Sequence, residues 1–186
     1  RGVEEFARTI MQIGDGGTVG SGPVNIASGA TLAFHRGDDY SLSTTQIISG
    51  AGTLIKDGSG PFTLSGRNTY SGTTTVQNGV LALTNQAALG EGPLNISSGA
   101  KVALNFTGQS YVAQLTLNGA VQATGTYGSS GSPATNKNDT WFSGTGVLGV
   151  GPTSITTFAI TGGNNPTSVG MPITFTATVS GSAPTG

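Results

Sequence analysis

His35 is the single histidine of the chain, and Asp38 and Asp39 follow it in a polar segment. This group could contribute to a Ser–His–Asp triad, which would support an esterase-like hydrolase, or it could hold a metal ion. The nucleophile elbow G-x-S-x-G is absent, however, and one histidine cannot supply a site built from several imidazoles. We therefore keep the three residues as catalytic candidates and favour a solvated histidine in a loop.

The carboxylates could also serve glycoside hydrolysis, because that reaction needs two of them facing one bond. The sequence leaves open whether folding brings Asp15 or Asp38 close to an acid of a later segment. We favour acids in surface turns, since Asp15-Gly16-Gly17 and Asp57-Gly58 are typical turn sequences. The calcium-binding pattern G-G-x-G-x-D is not matched, which argues against calcium. We expect no metal site and no cofactor. The acids are Glu4, Glu5, Asp15, Asp38, Asp39, Asp57, Glu91 and Asp139.

Three aromatic residues, Trp141, Tyr127 and Tyr111, are candidates for ligand binding. An aromatic ring stacks well on a sugar because it offers a flat apolar area with a polar rim. The alternative is that such rings fill the interior of the fold or close one of its ends. We favour that alternative for Trp141, and it applies to Tyr70 as well.

Composition excludes several classes of protein. Charged residues make up only 8% of the 186 residues, and the net charge is −1. The low charge argues against nucleic-acid binding, because that function needs a clustered basic patch and the seven Lys and Arg residues are scattered. The absence of cysteine removes disulfides, thiol catalysis and thiolate metal sites. No apolar run approaches the roughly 18 residues that a membrane-spanning helix needs, so no membrane-spanning segment is expected.

The elements that must position these side chains are most regular in residues 48–83. Apolar and polar residues alternate there in short runs, as in residues 53–55, 62–64 and 80–83, and Gly, Asn or Ser interrupts each run. Strands of about 3–5 residues separated by glycine turns predict a β-solenoid, in which the chain winds coil upon coil. The predicted interior is a stack of small aliphatic layers.

Glycine marks the predicted bends of this solenoid. The chain has 32 glycines, and we expect Gly52, Gly58, Gly66 and Gly79 to need a positive φ. Replacing such a glycine by alanine destabilises a protein, so these four positions are predicted to tolerate substitution poorly.

An internal repeat supports the solenoid. Residues 20–30 (GSGPVNIASGA) match residues 90–100 (GEGPLNISSGA), seventy residues later. The shared glycines and the shared apolar spacing predict two copies of one coil. We expect one copy to be stacked above the other at about 4.8 Å per coil.

The flanking segments differ from the solenoid pattern. Residues 1–12 are expected to be a cap or linker, with one or two helical turns as the alternative, and the solenoid spans residues 13–151. Within it, residues 113–117 and 120–123 predict a hairpin turned by Asn118-Gly119, and residues 128–139 predict a flexible loop.

Residues 152–186 lack the paired glycines of the preceding part. Residues 155–160 and 173–179 alternate as two strands of an ordinary antiparallel sheet. An Ig-like sandwich needs about seven strands. Since two strands fit before Gly186, we expect a truncated Ig-like segment.

The glycine pattern resembles the autotransporter-associated β-strand repeat family. The matching motifs are residues 50–60 (GAGTLIKDGSG), 64–76 (LSGRNTYSGTTTV) and 78–81 (NGVL), and the resemblance covers about residues 12–150. Residues 169–177 (VGMPITFTA) resemble part of a bacterial Ig-like repeat.

The resemblance implies a right-handed parallel β-helix from a bacterial protein that is exported and then secreted or displayed at the cell surface. It implies a passenger stalk or adhesin-like scaffold without a fixed chemistry. Pro61-Phe62 departs from the family pattern of a small residue followed by Leu. Because proline cannot donate to a strand ladder, we place Pro61 at a corner.

Three functions follow from these observations. The first is a structural or adhesive module of a large exported bacterial protein. The second is a carbohydrate-active module that binds or hydrolyses polysaccharide on the solenoid face. The third is the hydrolase that would use His35. The predicted partners are a polysaccharide or another cell-surface component.

Overall fold

The computed structural model describes residues 10–151, 157–162 and 175–180, and strands are the regular elements throughout these ranges. None of the described residues belongs to a helix with the length and apolarity to cross a membrane. The first ten strands are β1 (Ile10–Ile13), β2 (Val24–Ile26), β3 (Thr31–His35), β4 (Tyr40–Leu42), β5 (Ile48–Gly50), β6 (Thr53–Asp57), β7 (Phe62–Leu64), β8 (Thr74–Val76), β9 (Val80–Leu83) and β10 (Leu94–Ile96). The others are β11 (Lys101–Leu104), β12 (Gln109–Val112), β13 (Leu115–Leu117), β14 (Ala120–Val121), β15 (Gly125–Gly128), β16 (Asn136–Lys137), β17 (Phe142–Gly144), β18 (Val147–Val150), β19 (Thr157–Gly162) and β20 (Phe175–Ser180).

The largest sheet, here called the broad sheet, has the strand order β1-β3-β6-β8-β10-β13-β14. Its first six strands are all parallel, and 20–22 residues separate the partners in neighbouring strands. A parallel partner reached after so few residues, without a helix between, requires the chain to wind around an axis. Six stacked strands therefore make about five coils, which confirms the predicted parallel β-solenoid.

Each coil has three sides. The second sheet has the order β17-β11-β9-β7-β4, and the small sheet pairs β2 with β5. The third side continues beyond the small sheet, because the N–H groups of Thr69 and Ser71 donate to the carbonyls of Ile48 and Gly50 at 2.8 and 2.9 Å. Pro61 lies in the exposed bend just before β7, at the corner where we predicted it.

The core consists of side chains that stack in rows along the axis. In the second sheet one inward row consists of Phe62, Leu81, Val102 and Phe142, paired strand to strand and all buried. Alternation places every second residue of a strand in such a row. Each fully buried Leu or Phe side chain contributes about 1.5–3 kcal/mol through removal of apolar surface from water. The rows therefore hold successive coils in register.

The two copies of the seventy-residue repeat share a local structure but not a side of the solenoid. Each forms a short strand, a turn with glycine at φ 78° (Gly29) or 83° (Gly99), and a second strand. The first copy runs from the small sheet into the broad sheet, whereas the second runs from the broad sheet into the second sheet. A coil takes 20–22 residues, so seventy residues are three coils and about a third of another. The prediction that one copy stacks above the other is therefore wrong.

The parallel ladder of the broad sheet ends in an antiparallel hairpin. Strand β13 pairs with β14 across Asn118 and Gly119, which have φ of 46° and 82°. Two residues with positive φ define the tight hairpin turn that the Asn-Gly sequence predicts. A fourth sheet, called the terminal sheet, follows with the order β12-β18-β15-β16, in which β15 and β18 are antiparallel.

Residues 128–139, which we predicted to form a flexible loop, are tied to the rest of the solenoid. Ser129 and Ser132 are buried, and Ser129 Oγ donates to the carbonyl of Gly144 at 2.5 Å. Asp139 accepts a hydrogen bond from the N–H of Ser130 at 2.8 Å, and strand β16 pairs with β15. The loop prediction is therefore wrong for this segment, because side-chain hydrogen bonds to backbone give it a fixed path.

Outside the solenoid, β19 and β20 form an antiparallel pair from Thr157–Ser180 to Gly162–Phe175. This agrees with the two predicted strands. Much of the predicted Ig-like segment, and residues 1–9 of the predicted cap or linker, lie outside the described residues. Strand β1 begins at Ile10, within the segment that was expected to be cap or linker.

Candidate functional site

His35 ends strand β3 and pairs with Asp57 of the next coil. Its Nδ1 lies 2.7 Å from Asp57 Oδ2, and the two residues are direct partners in the parallel register. Both side chains are solvent-facing, with exposed fractions of 57% and 37%. A solvent-exposed side-chain contact of this kind contributes little to stability.

Asp38 is held by Arg36 and not by His35. Arg36 donates from Nε to Asp38 Oδ1 at 2.9 Å and from Nη2 to Oδ2 at 2.5 Å, and Nη1 donates to the carbonyl of Gly17. The guanidinium also lies 4.3 Å from the ring centre of Tyr40. Hydrogen bonding from Arg36 lowers the pKa of Asp38 below its ordinary value. Asp38 is therefore a fixed carboxylate that anchors the turn.

The catalytic candidates thus have separate surroundings. His35 contacts Asp57, Asp38 contacts Arg36, and Asp39 is exposed in the same turn. Asp15 and Asp38, the acids for which the sequence left a contact with a later acid open, lie close to each other, and contact with Asp15 contributes to the lowered pKa of Asp38. Asp15 also accepts a hydrogen bond from the N–H of Gly37 at 2.7 Å. In the described part of the chain, no group of three His, Asp or Glu side chains is arranged to hold a metal ion.

The aromatic candidates do not share one surface. Tyr127 is buried, and its hydroxyl donates to the carbonyl of Ala123 at 2.9 Å. Trp141 is half-buried and packs against the core, as the interior alternative predicts. Tyr111 is exposed and pairs with Gly149, whereas Tyr127 pairs with Leu148, so the two tyrosines point to opposite faces of the terminal sheet.

Lys56 is an interior residue whose role the sequence analysis missed. It is 1% exposed and lies in an inward row between Phe34 and Val76. Its Nζ donates to the carbonyls of Gly58 and Asn78 at 2.6 and 3.0 Å. Burial lowers the pKa of this amine. The alternating pattern of β6 could have predicted that Lys56 points inward, since residues two apart in a strand share a face and Leu54 is a core residue.

A small hollow lies on the third side. It has a volume of about 260 Å³ and is lined by Asn68, Thr69, Tyr70, Ser71 and Glu91. The buried Asn68 amide accepts from the N–H of Ile48 at 2.7 Å and donates to the carbonyl of Ala88 at 2.5 Å. Asn68 therefore joins three coils and is occupied by structural hydrogen bonds.

The outer face of the broad sheet carries a continuous row of side chains, here called the outer row. Partners in successive strands stand about 4.8 Å apart along the axis. Its last three members are polar and half-buried: Thr75, Asn95 and Thr116. The complete outer row consists of Gln12, Ala33, Ile55, Thr75, Asn95 and Thr116.

These features define a repeat scaffold of the parallel β-solenoid class, in which the buried side chains of Lys56 and Asn68 make structural hydrogen bonds and the broad sheet carries a regular outer row. Residues 54–83 match the family model described as the Passenger-associated-transport-repeat. This stretch runs from the second residue of β6 to the end of β9, so it comprises somewhat more than one coil.

A curated relative points the same way. The Adhesin BmaC autotransporter of Brucella suis biovar 1 (strain 1330) is 36% identical over 83 residues, which is 45% of this chain and 2% of the relative. The chain thus spans a very small part of that protein's length. No solved structure matches the chain. The two similarities support the autotransporter repeat resemblance, while the Ig-like resemblance stays a prediction.

Proposed function

We propose that this chain is a structural or adhesive module of a large bacterial protein that is exported and then secreted or displayed at the cell surface. The observation that carries the proposal is the uninterrupted parallel ladder of six strands in the broad sheet, which makes a rod of stacked coils. A rod can act as a stalk because each coil contacts only its neighbours and adds a fixed length.

The comparisons support the same function. The family that matches residues 54–83 is described as passenger-associated, and the curated relative is described as an adhesin and an autotransporter. An adhesin must contact another surface, so a cell-surface component is the proposed partner. Polysaccharide is one such component, but no aromatic platform in the described residues favours it over a protein.

The outer row is the proposed contact surface. It lies on the broadest sheet, and Thr75, Asn95 and Thr116 present hydroxyl and amide groups at a regular spacing. Hydroxyl and amide groups both donate and accept hydrogen bonds, so such a row suits a polar partner.

Adhesion of protein-coated beads to host cells tests the proposal. The variant Thr75→Lys/Asn95→Lys/Thr116→Lys changes the outer row, and Ser41→Lys/Thr63→Lys/Ala82→Lys introduces the same charge on the outer face of the second sheet. We expect the wild-type beads and the second-sheet variant to adhere, and the outer-row variant to lose adhesion. Equal adhesion of both variants would place the contact elsewhere. Failure of all beads to adhere would leave the stalk as the function.

A further inference from the structure

The corner between β8 and β9 places an Asn-Gly peptide bond beside a buried cation. Lys56 Nζ donates to the carbonyl oxygen of Asn78 at 3.0 Å. Gly79 lies against the same ammonium group, because a Cβ built on Gly79 would be 2.9 Å from Nζ. A positive charge therefore faces the peptide group that joins Asn78 to Gly79.

The Asn78 side chain is folded back onto the same peptide group. Its Oδ1 accepts a hydrogen bond from the N–H of Gly79 at 2.8 Å. This brings the backbone nitrogen of Gly79 next to the side-chain carboxamide of Asn78. These are the two groups that react to close a succinimide ring. Asn78 is exposed, so water can enter and ammonia can leave. Gly79 has no Cβ to shield its nitrogen.

We propose that Asn78-Gly79 is a site of spontaneous deamidation and that Lys56 accelerates the reaction. The Gly79 nitrogen loses its proton to solvent and forms a bond to Cγ of Asn78. The bond from Cγ to Nδ2 breaks, and Nδ2 takes a proton and leaves as ammonia. Water then opens the succinimide at either carbonyl, which gives aspartate at position 78 or its β-linked isomer.

Lys56 acts on the first step of this reaction. Removal of the proton from the Gly79 nitrogen places negative charge on the Asn78 carbonyl oxygen, and a fixed ammonium at that oxygen stabilises the charge. An increase in N–H acidity by one pKa unit corresponds to about a tenfold gain in the deprotonated form. The charge is already in position in the folded chain, so no reorganisation is needed when the reaction starts.

Asn118-Gly119 provides an internal comparison. It is the same dipeptide, exposed in the hairpin turn between β13 and β14. The backbone N–H of Asn118 donates to the carbonyl of Ile96 at 2.8 Å, and no lysine amine is hydrogen-bonded to this turn within the described residues. Asn118 also differs from Asn78 in its φ of 46°, so its conversion serves as an internal reference that Lys56→Met should leave unchanged.

The modification would change the corner of the coil. Aspartate adds a negative charge beside Lys56, and the β-linked isomer adds one atom to the backbone path. Backbone hydrogen bonds fix both sides of that path. The N–H of Gln77 donates to the carbonyl of Lys56, and the N–H of Lys101 donates to the carbonyl of Gly79. The isomer would therefore strain the neighbouring strands.

Site-resolved mass spectrometry of the full chain, aged at neutral pH, tests the proposal. We expect Asn78 to convert faster in the native chain than in the chain unfolded in urea. We also expect Lys56→Met to slow Asn78 about tenfold while Asn118 keeps its rate. If Lys56 only holds the corner rigid, Lys56→Met will instead accelerate Asn78. That result, or an unchanged rate, overturns the proposal.

Circular dichroism establishes first that Lys56→Met is folded. If the variant does not fold, the wild-type comparison decides alone. Conversion of Asn78 that is slower in the native chain than in urea then overturns the proposal, and faster conversion supports it.

Discussion

Tyr70 illustrates how this solenoid accommodates a polar side chain in its interior. It is 1% exposed, and its hydroxyl lies 2.7 Å from the hydroxyl of Thr74, which occupies an inward row with Leu54 and Leu94. The two hydroxyls satisfy each other in a place that water does not reach. Burial raises the pKa of Tyr70 to about 12, because the phenolate would lose its hydration.

The raised pKa of Tyr70 predicts that the folded chain loses stability at alkaline pH. Because folding raises the value from 10.0 to about 12, the contribution of Tyr70 to stability is complete below pH 10.0 and is lost as the pH rises through about 12. Two pKa units correspond to roughly 3 kcal/mol. Tyr70→Phe does not titrate, but at neutral pH it leaves Thr74 without a partner, at a cost of about 1–2 kcal/mol.

Urea unfolding of both proteins across the alkaline range checks this prediction. We expect the wild type to be more stable than Tyr70→Phe at neutral pH and the difference to shrink or reverse towards pH 12. A constant difference throughout the range would show that Tyr70 does not titrate during unfolding.

The contact partner of His35 could not be predicted from the sequence. Its neighbours in the chain suggested a partnership with Asp38 and Asp39, but the side chain meets Asp57, which lies 22 residues later and one coil away. That contact depends on the coil length, which composition and local pattern do not give. Lys56 is the opposite case, since its inward position followed from strand alternation with Leu54.

At the scale of elements, glycines stack on one another at the corner that leads into the broad sheet. A Cβ on Gly72 would lie within 3.0 Å of the Gly52 carbonyl, and a Cβ on Gly92 would lie within 3.0 Å of the Gly72 carbonyl. None of these three has a positive φ. The expected positive φ is found at Gly58 and Gly79 but not at Gly52 and Gly66, so the predicted reason was wrong for the latter two.

Three alanine substitutions separate close packing from backbone strain. Gly72→Ala is expected to destabilise by more than about 3 kcal/mol or to prevent folding, because the methyl group meets backbone that cannot move. Gly99→Ala has open space but a φ of 83°, so a cost of about 1 kcal/mol is expected. Gly66→Ala meets the Gln46 carbonyl at 3.1 Å without positive φ and should cost less than about 1 kcal/mol.

Thermal and urea unfolding of the three variants measures the loss of stability that each substitution causes, and so ranks them. If Gly66→Ala proved as damaging as Gly72→Ala, the stacking explanation would fail.

The strands themselves were predictable from alternation, and the Asn118-Gly119 turn was predictable from its dipeptide. The path of residues 128–139 was not predictable, because it depends on the contact of Ser129 with Gly144, and no local sequence pattern indicates that contact.

For the whole molecule, the coil length decides which segments are equivalent. The seventy-residue repeat is conspicuous in the sequence, yet its copies occupy different sides, because seventy is not a multiple of 20–22. The turns after β2 and β10 have the same glycine conformation at different corners. Since the corners use similar turn sequences, the repeat identifies a solenoid but not its register.

A deletion of one complete coil should therefore be tolerated. Removing residues 74–93 brings Leu94 to the place of Thr74, its direct partner in the ladder, so β10 can pair with β6. The same change lets β11 pair with β7 through the positions now held by β9. We expect a folded rod that is shorter by about 4.8 Å. Its denaturant m-value should be lower, since less surface is exposed on unfolding.

Removal of residues 84–93 is the matched control. It takes out half as many residues and no strand, but it joins β9 of the second sheet directly to β10 of the broad sheet and removes the third side of the coil. The register of every later strand is then lost, so we expect this shorter deletion to unfold the chain. Circular dichroism, urea unfolding and small-angle X-ray scattering distinguish the two proteins. A coil of 20–22 residues would be the wrong unit if the ten-residue deletion folded and the complete-coil deletion did not.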